Sequence, residues 1–338
     1  MSTFTASLAN HTDPEYVVEA TRQIDRNLGY DNLLVGDERL NHNTYSLLTL
    51  AARNSTDLGL GPGVTNPYTR HPAMTAAAVA TLDRVSDGRA RLGFGGGSGI
   101  ALDPLGYDQA DPVGTLSDAI QVTNRLFDGE TVQLERPEFS LHGADLDVTP
   151  ISEVPVYVAG RGPGMLGLGG FRGDGVLAGA GLASVEGMAY AREKVAEGAE
   201  KAGRSMADID LVCWAFLSVA DDREAALDGV NPLVGRIVDK TPLPALEAIG
   251  IDPDRAEQVK AIEDIPQRSP RELREAIPRP VTEQFAIAGT PEECRSHVDR
   301  LRDSGVDHFG LLAFENEERD ELDSLELFSE GVIDELDA

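Results

Sequence analysis

Strand-like and helix-like segments alternate along the whole chain, and this alternation restricts the fold more than any other feature of the sequence. Asp13-Pro14-Glu15 opens a run with apolar residues at helical spacing, and Gly29 ends it. The short apolar strand Asn32-Leu33-Leu34-Val35 follows. Eight such strand positions, each followed by a helix or an insertion, indicate an α/β fold of the (β/α)8 TIM-barrel type. A doubly wound open sheet is the alternative.

Two stretches interrupt the alternation without suggesting a second domain, so residues 1–338 are interpreted as one barrel domain. Residues 131–148 are predicted to form a hairpin-like excursion. Residues from about 221 to 284 are polar and contain prolines, which favours an irregular insertion between the seventh and eighth strands. After this insertion, the capping box Thr290-Pro291-Glu292-Glu293 predicts the start of another helix.

A glycine- and proline-rich string at 61–72, GPGVTNPYTRHP, follows the third predicted strand. Gly61 and Gly63 bracket a proline and permit backbone angles that a side chain would forbid. A flat ring could approach the backbone closely at this point. An ordinary turn is the alternative, because glycine, proline and asparagine are the usual turn residues.

Two further glycine-rich loops follow predicted strands. The loop at 93–99 fails the GxGxxG spacing of dinucleotide-binding proteins, because Ser98 stands where the third glycine belongs, and it lacks the lysine of a phosphate loop. Gly160-Arg161-Gly162-Pro163 follows a buried strand and opens a helix, so free backbone N–H groups can bind an anion there. A simple turn is the other interpretation. In a barrel these loops converge with Asp37-Glu38 at the carboxyl ends of the strands.

These strings resemble the methylene-tetrahydromethanopterin reductases, which belong to the bacterial-luciferase-like superfamily and use the deazaflavin coenzyme F420. The resemblance is densest from Leu58 to Gly95, with further matches at Tyr45 and at 111–128, 160–175 and 285–305. It implies a luciferase-like barrel, a non-proline cis peptide at Gly63-Val64, and hydride transfer to a methylene-tetrahydromethanopterin or methylene-tetrahydrofolate. The coenzyme-binding residues that it implies are Gly63, Val64, Thr65, Asn66, Gly95, Gly96, Ser98, Gly160, Arg161, Gly162 and Pro163.

The carboxylates depart from the pattern of this family. The family's catalytic glutamate on the first strand corresponds to Ser7 or Leu8 here, and its aspartate after the glycine-rich loop corresponds to Ser98. Many luciferase-like enzymes carry Asp-His after the second strand, where this chain has Asp37-Glu38. We therefore predict that Glu38 is the proton donor and that Asp37 orients the coenzyme or its neighbours. A solvated pair of loop acids is the alternative.

The charge of the chain excludes some partners and suggests an origin. There are 58 Asp plus Glu against 29 Lys plus Arg, a formal net charge of -29, which argues against nucleic-acid binding. Acids spread through every segment, with only four lysines, indicate a halophilic protein, since about 1 M salt screens charges over about 3 Å. An ordinary acidic cytosolic enzyme is the alternative. A haloarchaeal source would also suit the coenzyme. Because the coenzyme has an acidic tail, a local basic groove is expected, with Arg161, Arg70 and Arg172 as candidates.

The remaining expectations concern location, assembly and rival functions. Cys213 and Cys294 form no disulfide framework, no metal-ligand spacing occurs, and neither a signal peptide nor a run of 18 apolar residues is found, so we expect a cytoplasmic, metal-free protein. The resemblance implies a homodimer. Two alternatives stay open: an enzyme that uses FMN and oxygen or NAD(P)H on another substrate, and a non-catalytic coenzyme-binding protein.

Overall fold

The computed structural model describes residues 2–38 and 40–337. Its strands are β1 Thr3–Leu8, β2 Asn32–Val35, β3 Gly59–Pro62, β4 Leu92–Gly95, β5 Val132–Glu135, β6 Ser140–Ala144, β7 Val156–Gly160, β8 Gly175–Gly179, β9 Asp210–Val219, β10 Ala286–Gly289 and β11 His308–Ala313. Its α-helices are α1 Pro14–Asn27, α2 Thr44–Asn54, α3 Pro72–Val85, α4 Gly99–Leu102, α5 Pro112–Phe127, α6 Pro163–Arg172, α7 Val185–Lys201, α8 Arg223–Lys240, α9 Leu243–Ala248, α10 Pro253–Lys260, α11 Pro270–Ala276, α12 Arg279–Phe285, α13 Pro291–Asp303, α14 Glu321–Phe328 and α15 Asp334–Asp337.

Eight parallel strands close into a barrel. Their order is β3-β2-β1-β11-β9-β8-β7-β4, and the two end strands meet through parallel bridges from Leu60 to Ala90 and from Thr65 to Phe94. β10 lies outside this order and pairs with the carboxyl-terminal part of β9, from Phe216 to Val219. The closure confirms the predicted TIM barrel, and the open-sheet alternative is wrong.

The helices around the barrel begin where the sequence supplies capping groups. The Asp13 carboxylate accepts from the backbone N–H of Glu15, and a proline stands at the first position of α1. The predicted capping box at Thr290 forms, with its hydroxyl and the Glu293 carboxylate each accepting from the other residue's backbone N–H. None of the described helices is long and apolar enough to cross a membrane.

The two interruptions of the alternation have different outcomes. The predicted excursion at 131–148 is an antiparallel hairpin of β5 and β6. The expectation of an irregular segment at 221–284 is wrong, because α8 to α12 occupy most of it. Its prolines stand mainly in the first turn of these short helices, where the missing N–H is not needed. Its treatment as an insertion into a single barrel domain stays a prediction.

The barrel interior is polar at its amino-terminal end and apolar towards the site. Near the amino-terminal end the His308 Nδ1 lies 2.8 Å from the Asp210 carboxylate, and its Nε2 lies 2.9 Å from the Thr5 hydroxyl. Above this network an apolar layer fills the barrel, consisting of Leu34, Tyr157, Leu177 and Val212 with Val64, Ala159 and Trp214 packed against it. This layer forms the floor of the cleft at the carboxyl ends.

Candidate active site

A cleft of about 320 Å³ opens at the carboxyl ends of the barrel strands. Ligand sites of this fold lie at the same end, and the volume is at the lower limit of the range of about 300–1,000 Å³ seen for ligand pockets. The sequence-predicted residues that line it are Asp37, Glu38, Gly63, Val64, Thr65, Asn66, Gly95, Gly96, Ser98, Gly160 and Arg161. Gly162 and Pro163 follow directly as the N-cap and first residue of α6. The structure therefore brings the predicted residues of four loops to one place.

Glycines let two loops of the cleft pack closely against neighbouring side chains. The Gly63–Val64 peptide bond is cis, as the resemblance implies. A Cβ added at Gly95 would lie 2.8 Å from Val64 Cγ2, and one added at Gly96 would lie 2.6 Å from the terminal methyl of Met165. Larger residues at these glycines would push both side chains out of place. The glycines therefore allow the Gly95–Ser98 loop to pack tightly against Val64 and Met165.

A positively charged group stands where β7 passes into α6. Arg161 is half-buried, and its guanidinium donates to the Ala180 carbonyl oxygen at 3.3 Å and to the Thr241 hydroxyl at 2.9 Å. Burial lowers the pKa of Arg161, and no carboxylate within the described residues offsets this effect. Gly162, the N-cap, has no side chain to accept a hydrogen bond from the first turn of α6, and a Cβ there would meet nothing within 4 Å. Free N–H groups and one cation therefore face open space, which suits an anion.

The two predicted catalytic acids, neighbours in sequence, have different surroundings. Asp37 is half-buried, and its Oδ2 accepts a hydrogen bond of 2.7 Å from the Thr65 hydroxyl in the loop after β3. Glu38 is exposed at the mouth, and its backbone carbonyl accepts a hydrogen bond of 3.0 Å from the buried Asn10 amide. Asp37 is thus built into the wall, whereas the Glu38 side chain is available to a ligand.

Several cleft residues were not predicted from the sequence. Leu177, Trp214, Phe216 and Leu312 line the cleft from β8, β9 and β11. The side chain of Gln109 donates to the carbonyl of Gly97 at 3.2 Å and also to that of Gly96, and so holds the glycine-rich loop. The alternation of side chains along a strand could have predicted that Trp214 and Phe216 lie on one face of β9. No local sequence pattern indicates the role of Gln109.

The two other arginines that the sequence suggested for a basic groove have different positions. Arg172 is the last residue of α6, at the end opposite to Gly162, so its proposed place in a basic groove at the mouth is wrong. Arg70 does lie beyond β3, where its guanidinium carbon stacks 4.6 Å from the centre of the Tyr45 ring. Among residues 2–38 and 40–337 no group of His, Cys, Asp or Glu could hold a metal ion.

Another acidic side chain, that of Glu321 at the start of α14, follows β11 on the same side of the barrel. Burial, with the nearby charges of Glu315 and Asp320, raises the pKa of Glu321 to about 7. Its Oε2 is buried without a hydrogen-bond partner among the described residues. Because the folded state prefers the protonated acid, ionisation of Glu321 destabilises the fold.

This gives a pH-dependent prediction for Glu321→Gln. Between the ordinary pKa of 4.5 and about 7 the unfolded chain ionises while the folded chain keeps its proton, so the cost grows with pH and is complete above pH 7. The variant should therefore gain about 1–3 kcal/mol in free energy of unfolding at pH 8, and less at pH 5. Urea unfolding at both pH values measures this, with exposed Glu257→Gln as control. An equal gain at both pH values would contradict the assignment.

The residues of the cleft fit a deazaflavin or a flavin. The glycine-rich loops and the apolar surface of Trp214 and Phe216, which all line the cleft, suit a tricyclic ring. Arg161 and the amino end of α6 suit a phosphate. These residues would suit FMN as well as the deazaflavin.

The fold and the cleft define the class: a (β/α)8 barrel with a ligand-sized cleft at the carboxyl ends of its strands. The chain belongs to the luciferase-like monooxygenase family, whose pattern matches residues 1–308.

Two curated relatives and one solved structure are similar over most of the chain. The 5,10-methylenetetrahydromethanopterin reductase of Archaeoglobus fulgidus is 31% identical, over 95% of this chain and 96% of its own length. The protein of the same name from Methanolobus tindarius is 32% identical, over 87% of this chain and 89% of its own. The coenzyme F420 dependent tetrahydromethanopterin reductase from Methanopyrus kandleri superposes with a TM-score of 0.85 at 28% identity, covering 99% of both chains.

Proposed function

We propose that this protein is a coenzyme F420-dependent oxidoreductase that reduces 5,10-methylene-tetrahydromethanopterin, with methylene-tetrahydrofolate as the second acceptor to be tested. The observation that carries the proposal is the convergence of the Gly63–Asn66 loop, the Gly95–Ser98 loop and the Arg161 turn in one cleft. Similarity over 95% of the chain to a reductase of this name supports it.

Each part of the cleft has a distinct task in this proposal. When bound, the reduced deazaflavin supplies the hydride. The loops at Gly63 and Gly95 border the space for the planar ring, and Trp214 forms part of its apolar floor. Arg161 and the first N–H groups of α6 bind the phosphate.

Proton transfer falls to Glu38 in this proposal. Reduction of a methylene-pterin requires an acid that protonates a ring nitrogen and exposes an iminium carbon. Glu38 lines the cleft and is exposed towards the open mouth, where an acceptor enters. Asp37, held by Thr65, fixes the loop beside it. This arrangement replaces the absent first-strand glutamate, whose position is taken by Ser7 or Leu8.

An anaerobic titration tests the proposal. The protein in molar salt is titrated with F420 in both redox states, with FMN and with NADPH, and then offered methylene-tetrahydromethanopterin or methylene-tetrahydrofolate. We expect binding of F420 and oxidation of its reduced form by the pterin. Preference for FMN, with oxygen consumption in a parallel aerobic assay, would favour the monooxygenase alternative. F420 binding without turnover on either acceptor would favour a non-catalytic coenzyme-binding protein.

The proposal also covers the location of the protein and its oligomeric state. The net charge of -29 with four lysines supports a cytoplasmic enzyme that works in concentrated salt. Leu50 on α2 and Met74 on α3 are exposed apolar residues beside β2 and β3, and a homodimer would cover them. Sedimentation in molar salt should give twice the chain mass of 36.1 kDa, and a monomer under those conditions would contradict the dimer.

A further inference from the structure

The inserted segment reaches the anion site through the end of α8. Thr241 follows α8 as its C-cap and is 3% exposed. Its hydroxyl donates to the Ile237 carbonyl at 2.6 Å and accepts from the Arg161 Nη2 at 2.9 Å. The Ala180 carbonyl holds the other terminal nitrogen of Arg161. Both acceptors are neutral, so they orient the guanidinium without compensating its charge.

Lys260 fixes the end of α8 that carries Thr241. From the last residue of α10 its Nζ donates to the carbonyl oxygens of Val238 at 3.1 Å, Asp239 at 2.6 Å and Thr241 at 2.8 Å. These carbonyls lie at the carboxyl end of α8, where a cation is favourable, and that of Val238 also accepts from the Thr241 backbone N–H at 3.2 Å. All three ammonium protons are used, in a chain with only four lysines.

A buried cation without a carboxylate is costly, and this cost is relieved when an anion binds. Arg161 has five N–H donors, and two protein oxygens engage it. The other donors are free to meet an anion, with the guanidinium already oriented.

We propose that Thr241 and Lys260 are positioning residues that hold Arg161 in place for the coenzyme's phosphate, so that the inserted helices form part of the coenzyme site. This inference rests on the proposed function. It adds to that function a contribution from residues 80 to 100 positions further along the chain.

Titration with two ligands distinguishes loss of the position of Arg161 from general damage to the fold. Fluorescence titration gives the Kd of F420 and of the ribityl-deazaflavin, the same ring and ribityl chain without the phosphate and tail. Thr241→Val keeps the shape and removes the hydroxyl, so the Kd of F420 should rise roughly tenfold, as for loss of a charge-assisted hydrogen bond. The Kd of the ribityl-deazaflavin should not change. Thr241→Ser should restore tight binding.

A second pair of variants keeps the test decisive if Thr241→Val does not fold. Lys260→Met should weaken F420 binding selectively, whereas Lys240→Met, at an exposed neighbouring lysine, should not. Unchanged F420 affinity in both Thr241→Val and Lys260→Met overturns the inference alone, as does an equal loss for both ligands. If the wild type binds F420 no better than the ribityl-deazaflavin, the assignment of the phosphate site is wrong and the inference falls with it.

Discussion

Replacement of Glu38 by glutamine is expected to lower turnover about 10²- to 10⁴-fold, the contribution typical of a general acid. Glutamine keeps the length and hydrogen-bonding shape of the side chain but has no proton to give. The loop should stay in place, because Asn10 holds it through the backbone carbonyls of Glu38 at 3.0 Å and His42 at 3.2 Å. The Kd of the coenzyme should therefore be unchanged.

Single-turnover reduction of the pterin, followed by loss of the reduced coenzyme's absorbance, measures the effect on the chemical step. Glu317→Gln removes an exposed carboxylate from the loop after β11 and serves as the matched control. If Glu38→Gln reduces the pterin at nearly the wild-type rate, Glu38 is a solvated loop acid. If the coenzyme's Kd rises in parallel with the loss of rate, the residue holds the loop and does not donate the proton.

The barrel and the outline of the cleft could be predicted because their signals are local. Pro14 and Thr290 mark helix starts within four residues of sequence, and the glycines at 61–63 and 95–99 mark strand ends. Parallel strands in a barrel all deliver their carboxyl ends to one rim. Position along the chain was therefore enough to place the loops together.

The apolar floor could not be predicted in the same way. β9 is buried on both faces for most of its length, so its sequence reads as a continuous apolar run and does not show that Trp214 faces the interior. The interior face becomes clear only after closure, when a Cβ at Gly310 of β11 would lie 2.2 Å from Trp214 Cε3. Small residues on one strand make room for a large one on the next.

Contacts between distant segments account for the other failures. Thr241 meets Arg161 across 80 positions, and nothing near either residue indicates the pair. The interpretation of 221–284 as irregular followed from its polarity and prolines, but short helices that cover a barrel need only a narrow apolar face. The charge of Arg172 suggested a place at the mouth of the cleft, but α6 is long enough to carry this residue to the opposite end.

The packing of α6 on α7 predicts the largest loss of stability from a small substitution. A Cβ at Gly170 would lie 2.0 Å from the Val195 carbonyl oxygen and 2.8 Å from the Ala199 nitrogen, both backbone atoms of α7. Backbone atoms cannot rotate away, so Gly170→Ala must push the helices apart. We expect a loss of about 2–3 kcal/mol in free energy of unfolding.

The same helix offers a matched control and the same interface a reciprocal test. At Gly167 the nearest atom to an added Cβ is 3.8 Å away, so Gly167→Ala should stabilise the helix by about 0.5–1 kcal/mol. Gly198→Ala on α7 would place its Cβ 1.9 Å from the Gly167 carbonyl oxygen and should cost about as much as Gly170→Ala. Because one separation of the helices relieves both overlaps, the double variant should lose less than the sum of the two. Urea unfolding at fixed salt measures the three single variants and the double variant against the wild type. Equal stabilities for Gly170→Ala and Gly167→Ala would show that α6 does not pack on α7 through these glycines.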